Sequence, residues 1–208
     1  MKRIKTTGII ACAFLFGTVA CNQGTDSVDQ AQEVNEQKAE DTVTEDAMVD
    51  ASDFMTRAAS SSMLEIEASK LAQEKATNPQ VKEFAAMMVK DHTAASKEMQ
   101  TLASSKNVTL PDSMSSDHMD HVRELREQSG AEFDREYMDR MVEAHESDVE
   151  LFEDVADDND TQDPDVKAFA SKTLPALRQH LDRARQVRDA LGGGTTTGTT
   201  TGTTTGGN

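Results

Sequence analysis

The sequence predicts an all-α protein, an up-down four-helix bundle with a short extra helix between helices two and three. Three observations carry that prediction. With no Trp, one Tyr and seven Phe among 208 residues, the core has to be built from Ala, Leu, Val and Met, a mixture that favours helix over sheet. Asn78-Pro79 and Asp163-Pro164 each set a capping side chain ahead of a proline at the first helical position, which marks two helix starts. No window alternates apolar and polar residues between turn residues as a strand does.

Taken in order, residues 1–20 form a signal peptide. Lys2, Arg3 and Lys5 precede an apolar run over 8–20 that is too short to stay in a bilayer as a spanning helix. The run ends in Thr18-Val19-Ala20-Cys21, which resembles the bacterial lipobox and makes Cys21 the expected site of lipidation. The other cysteine, Cys12, leaves with the signal, so no disulfide is expected in the mature chain. Residues 21–50 carry nine acidic side chains, one Lys and no aromatic ring, and read as a disordered, self-repelling tether. Residues 192–208 repeat a Gly-Thr-Thr-Thr unit with nothing large enough to pack, a low-complexity tail.

Between these arms, residues 51–191 form one helical module. The first long helix is expected over 52–77 and the second over 79–105, with the short helix over 115–128 after Leu110-Pro111-Asp112-Ser113. Ser129-Gly130 opens the third long helix, 131–156, and the fourth covers 164–191. Pro175 falls inside the fourth, where it frees the Ser171 carbonyl and is expected to kink the helix ahead of His180.

Projection at about 100° per residue finds one apolar stripe on each long helix, and one residue in each stripe that does not belong there. These are Glu65 among Phe54, Ala58 and Ala68, His92 among Ala85, Met88 and Met99, His145 among Met141, Val142 and Val149, and His180 among Leu177 and Ala184. Counting residues from the connections sets all four near mid-helix, so one carboxylate and three imidazoles are expected to meet in the bundle's centre. A buried Glu is costly unless it is paired or holds a cation. Two readings follow: a mononuclear site for one divalent transition metal, Zn or Fe, or a hydrogen-bonded polar cluster that sets register and binds nothing.

A di-iron centre is disfavoured. It needs Glu-x-x-His on two helices, whereas Val89, Val142 and Leu177 stand three residues before the histidines. Asp91, Asp148 and Asp134 are the nearest further carboxylates, and Asp148 and Asp134 lean toward the stripe and are expected to support the site. His118-x-x-His121 on the short helix is a candidate surface clasp for a metal or a solvated polar face. Methionines 87, 88, 99, 138 and 141 read as core filler.

The runs Asn78-Pro79-Gln80-Val81-Lys82-Glu83-Phe84-Ala85, Met88-Val89-Lys90-Asp91-His92, Gly130-Ala131-Glu132-Phe133-Asp134, His145-Glu146 and Thr173-Leu174-Pro175-Ala176-Leu177 resemble a bacterial family. It is the domain of unknown function 4142 family, ferritin-like envelope proteins, and the likeness spans about residues 53–191. The resemblance implies a ferritin-like fold outside the cytoplasm without a settled activity, and its recurrent positions coincide with Glu65, His92, His145, Pro175 and His180. Asp26-Ser27-Val28, Asp41-Thr42-Val43 and Asp112-Ser113-Met114 resemble a short bacterial O-glycosylation triplet, which chance also produces.

Charge excludes some partners. With 38 acidic and 21 basic residues the chain stands at −17, and losing Lys2, Arg3 and Lys5 with the signal takes the mature chain to −20. Nucleic acid is excluded as a partner because phosphate binding needs surplus cations, and an anionic membrane would be held only through the lipid. The leading reading is a non-enzymatic, outer-membrane-anchored lipoprotein that sequesters metal or protects against stress; rivals are a metalloenzyme acting on peroxide or a small oxidant, and a structural interaction module of the envelope. No protein partner is indicated. Replacing Cys21 by Ser should abolish labelling with a radioactive fatty acid and move the protein from the detergent-rich to the aqueous phase in a phase-partition assay.

Overall fold

The computed structural model describes residues 26–40, 45–157 and 163–192, and these are helical almost throughout. The signal peptide, Cys21, the Asp41-Thr42-Val43 triplet and the Gly-Thr tail beyond Gly192 lie outside the described residues. Six helices follow in order: α1 (Ser27–Ala39), α2 (Glu45–Lys75), α3 (Pro79–Ser105), α4 (Ser116–Glu127), α5 (Gly130–Asp157) and α6 (Pro164–Gly192). No helix among the described residues is long and apolar enough to cross a membrane.

The starts follow from caps. Asn78 Oδ1 accepts from the Gln80 N–H at 2.8 Å with Pro79 at the first helical position of α3, and Asp163 Oδ1 accepts from Asp165 and Val166 N–H at the head of α6. Ser115 caps α4 through the His118 N–H. Gly130 opens α5 at φ +59°, in the left-handed region that glycine enters without steric cost.

The long helices α2, α3, α6 and α5 close a ring in that order, each packed on the next. Ion pairs fix their directions: Lys172 with Glu98 and Arg183 with Glu83 run α6 against α3, and Arg178 with Glu153 and Arg185 with Glu146 run it against α5. Each hairpin is therefore up-down, and α4 joins them as a crossover. It climbs alongside α2 from His118 beside Ser60 to Arg126 beside Glu67. The chain is thereby returned to the Thr77 end of α2 before α5 begins, so α3 and α5 run the same way, the single-crossover plan of ferritin-like bundles.

The acidic tether is the expectation that fails. Asp26, Ser27 and residues 28–39 form a folded helix whose Ala31, Asn35 and Ala39 recur every four residues as one buried stripe. Asn35 takes a core position because its amide pairs like a strand neighbour with the crossover: it donates to Thr109 O at 2.9 Å and accepts from Thr109 N at 2.7 Å. Asp26 caps α1 through Val28 N and also accepts from Ser116 N and Oγ, and Ser27 Oγ accepts from Asp112 and Ser113 N–H. Two of the three candidate glycosylation triplets thus stitch α1 to the crossover. A stripe of small residues is enough to dock a helix whose acids all face outward. The bundle's first helix also starts earlier than expected, at Glu45.

Pro175 leaves α6 unbroken and lies on its exposed face, where solvent takes up the freed Ser171 carbonyl. The core comprises two apolar clusters. One gathers Phe84, Met88, Phe133, Tyr137, Met138 and Met141 toward the Thr77 end, and the other packs Phe54, Phe152 and Phe169 edge to face toward the opposite end. Methionines 88, 99, 138 and 141 are buried in them, as filler should be.

Asp134 belongs to this framework and not to the polar centre. Its carboxylate, 2% exposed, accepts from Thr77 N at 3.0 Å, Thr77 Oγ1 at 2.5 Å and Asn78 N at 2.9 Å, tying the α2–α3 turn to the first turn of α5. Asp134→Ala leaves those donors without an acceptor and should cost about 3 kcal/mol in urea unfolding, with Asp134→Asn losing less.

Candidate metal centre

Glu65 on α2, His92 on α3, His145 on α5 and His180 on α6 meet at one level between the two apolar clusters, each at most 6% exposed. The three imidazole rings form a nearly equilateral triangle with centroids 5.4, 5.5 and 5.6 Å apart, and each offers a nitrogen within 4.8 Å of the other two.

Each ring has an occupied side and an unoccupied one. His92 Nδ1 lies 2.7 Å from Glu65 Oε2, His145 Nδ1 is 2.8 Å from the Met141 carbonyl, and His180 Nε2 is 3.3 Å from Asp91 Oδ2. For His145 and His180 the hydrogen-bond acceptor on one nitrogen holds the proton there and leaves a lone pair on the other; Glu65 approaches His92 Nδ1 without a hydrogen bond. The remaining nitrogens, His92 Nε2, His145 Nε2 and His180 Nδ1, are buried without any hydrogen-bond partner. Three orphaned imidazole nitrogens facing one small space are what a metal site presents, with carboxylate and carbonyl acceptors orienting the ligands from behind.

This geometry assigns the carboxylates differently from the helix projection. Glu65 Oε2 lies 2.7 Å from His92 Nδ1 and Oε1 3.0 Å from His145 Nδ1; both oxygens are buried without a hydrogen-bond partner, as the inward imidazole nitrogens are, and the cluster of nitrogens within metal-binding distance comprises the three histidines alone. Asp148, one turn along α5 from His145, reaches the centre as expected and touches both Glu65 and Ser61. Asp91, named from the sequence among the nearest carboxylates but set off the stripe, supplies the acceptor for His180.

Burial sets the protonation states. It pushes the Glu65 carboxyl up to about 7, offset by the charge of His145 and by Asp148. It also holds Asp148 well above the carboxylate range, with Glu65 beside it adding to the rise. The two carboxyls therefore share a proton, because two neighbouring buried carboxylates cannot both ionise. Burial lowers all three histidines, His145 to about 4. The imidazoles are neutral at pH 7, the state in which nitrogen binds metal.

The family model for the domain of unknown function DUF4142 matches residues 32–187. The chain belongs to the DUF4142 family. That match takes in most of α1, the helix that composition had excluded from the fold. No curated protein matches this DUF4142 chain in sequence. Among solved structures, it is similar to the DUF305 fragment from Deinococcus radiodurans, at 14% identity and TM-score 0.58 over 69% of this chain and 95% of that one. It is also similar to CopM in the Cu(II)-bound form, at 18% identity and TM-score 0.57 over 67% of this chain and 96% of that one. At these identities the likeness concerns the helical-bundle fold of the DUF4142 chain.

Sign and window of the centre's pH dependence follow from the two groups that move furthest. Glu65 has its folded value raised from 4.5 to about 7, so its contribution to stability is intact below pH 4.5 and is lost as pH rises to 7. His145 is lowered from 6.5 to about 4 and acts oppositely, losing stability as pH falls from 6.5 to 4. Glu65→Gln removes the first slope. The unfolding free energy of the metal-free protein minus that of Glu65→Gln should therefore fall by about 3 kcal/mol between pH 4.5 and 7, measured by urea titration.

Proposed function

We propose that this protein is a lipid-anchored metal-binding protein of the cell envelope, holding one divalent transition-metal ion through His92, His145 and His180. The observation that carries the reading is the set of three buried imidazole nitrogens without partners, one from each of three helices. An all-apolar core, or a closed Glu-His network, would leave none.

The donor set favours the late divalent ions. Neutral imidazole suits Zn, Cu, Fe and Ni, and for a given nitrogen site affinity rises through the first row to Cu(II) before falling to Zn(II). A bundle of the same fold that carries Cu(II), CopM, supports placing copper first. Three ligands leave a further position for a transferring ligand, which suits binding and delivery, and the carboxyls of Glu65, Asp148 and Asp91 lie beside the imidazoles. The surrounding residues orient the ligands: Met141 O on His145 and Asp91 on His180 fix which nitrogen faces inward, and Glu65 stands 2.7 Å from His92 Nδ1.

The anchor rests on Cys21 and the apolar run before it. Five residues, 21–25, link the lipid to Asp26, the first described residue, and they reach at most about 18 Å even if fully extended. The bundle would therefore stand close to the membrane surface.

Metal analysis and calorimetry test the reading. The chain purified without chelator and titrated with Cu(II) should bind one equivalent tightly, and metal at a thousandfold excess over Kd should stabilise the fold by about 4 kcal/mol, seen as a higher Tm. His145→Ala should abolish both effects. A wild-type Tm that neither Cu(II) nor Zn(II) raises would refute the proposal.

A further inference from the structure

The three histidines are buried at 4%, 0% and 6% exposure, so an ion reaching them needs a route through the bundle. Two cavities approach the centre. The larger, about 280 Å³, opens between α2, α4 and α5 and is lined by His118, His121, Glu143, Ser61 and Asp148. The smaller, about 30 Å³, lies inside the bundle against His92. Asp148 lines both. Asp148 is thus common to a solvent-facing chamber and to the space beside the first imidazole of the triangle.

The chamber is furnished for a cation. His118 and His121 sit one turn apart on α4 with ring centroids 6.3 Å apart, the spacing from which two imidazoles of one helix face can clasp one ion. His118 is oriented from behind as the central histidines are: its Nδ1 meets Ser60 Oγ at 2.9 Å, and that hydroxyl accepts from Ser115 N at 2.9 Å. The chamber's two arginines are neutralised, Arg57 by Asp53 and Arg140 by Glu124, Glu136 and Glu143. No free positive charge repels an incoming ion there.

We propose that this chamber is the loading route of the metal centre, with His118 and His121 capturing a divalent transition-metal ion at its mouth and Asp148 handing it inward to His92. The inference rests on the three-histidine reading of the centre. Loading is ligand exchange only: imidazole nitrogens give way to a carboxylate oxygen and then to imidazole nitrogen, with no change of oxidation state. The alternative approach runs past Asp91, whose side chain is 35% exposed beside His180.

Titration and stopped-flow mixing of the full chain with Cu(II) test the route. The wild type should take up one tight and one weaker equivalent. His118→Ala/His121→Ala should lose the weaker equivalent and load the tight one roughly tenfold more slowly, the low end of what a focusing cleft contributes to association rates, at unchanged affinity. Asp148→Asn should keep the weaker equivalent and slow loading likewise. A double variant that retains the weaker equivalent or loads at the wild-type rate overturns the proposal, and slow loading in Asp91→Asn alone moves the route to the α3–α6 side and overturns it too. A wild type that binds only the weaker equivalent, still present in His92→Ala/His145→Ala/His180→Ala, refutes the central site itself and the route with it.

Discussion

Glu65 is a carboxyl with no exposed surface at mid-depth of a four-helix bundle, and its placement constrains everything around it. A group of this kind is tolerated only where neighbours answer it. The neighbours come from the other helices: His92 from α3, His145 and Asp148 from α5, and His180 with its partner Asp91 closing the ring on the α3–α6 side. One polar residue per long helix at a common level fixes four registers at once. Sliding any helix by a single turn, about 5.4 Å, would set an imidazole against Phe or Met and leave its partners unmatched. The Asn78 and Asp163 caps, the Asp134 clamp on the α2–α3 turn and the α4 crossover all act to hold those registers.

The same burial that makes the centre costly makes it useful. Aromatic clusters above and below exclude water, and in that surrounding a charged imidazole is disfavoured. Burial consequently favours the neutral form of all three histidines, with lone pairs available, and favours the protonated form of Glu65 and Asp148. Leu or Val at those positions would give a drier and better packed core; the bundle forgoes that gain and keeps a polar residue on each of the four long helices. Tyr137 repeats the pattern one layer up, its hydroxyl answered by Ser69 at 2.8 Å.

What the sequence disclosed followed its punctuation. The span of α3 was legible residue for residue, with Asn78-Pro79 fixing its start, and that of α6 to within its last residue, with Asp163-Pro164 doing the same. The start of α2 was not, since no cap residue before Ser52 competes with a helix that runs on from Glu45. The docked α1 was hidden by composition: nine acids suggested a chain that cannot fold, yet a stripe of Ala31, Asn35 and Ala39 needs only one position in four. At the centre, projection set at one level the four residues that the structure also brings together, and misjudged where Asp134 and Asp91 lie. Asp134 shares the angular stripe of His145 but lies eleven residues earlier, about 16 Å up the axis, where it caps another turn. Asp91 points off the stripe of α3 and yet reaches His180, because a second helix packs there. Helical wheels give angle; depth and partner come only with the assembled ring.

Net charge completes the physical picture. Most of the acidic excess sits on exposed helix faces, where single ion pairs such as Arg178–Glu153 contribute little to stability. Collectively these charges act as a field. A surface of this sign repels anionic lipid and nucleic acid and raises the local concentration of cations. Within it the chamber beside α4 is a place where the fixed positive charges are already paired off and the free ligands are imidazoles. Ions drawn to the surface thus meet donors that bind transition metals well and Ca²⁺ or Mg²⁺ poorly, since the latter prefer oxygen. Long-range attraction is unselective, so on the proposed reading the discrimination would come from nitrogen donors, first at the mouth and then at the buried triangle.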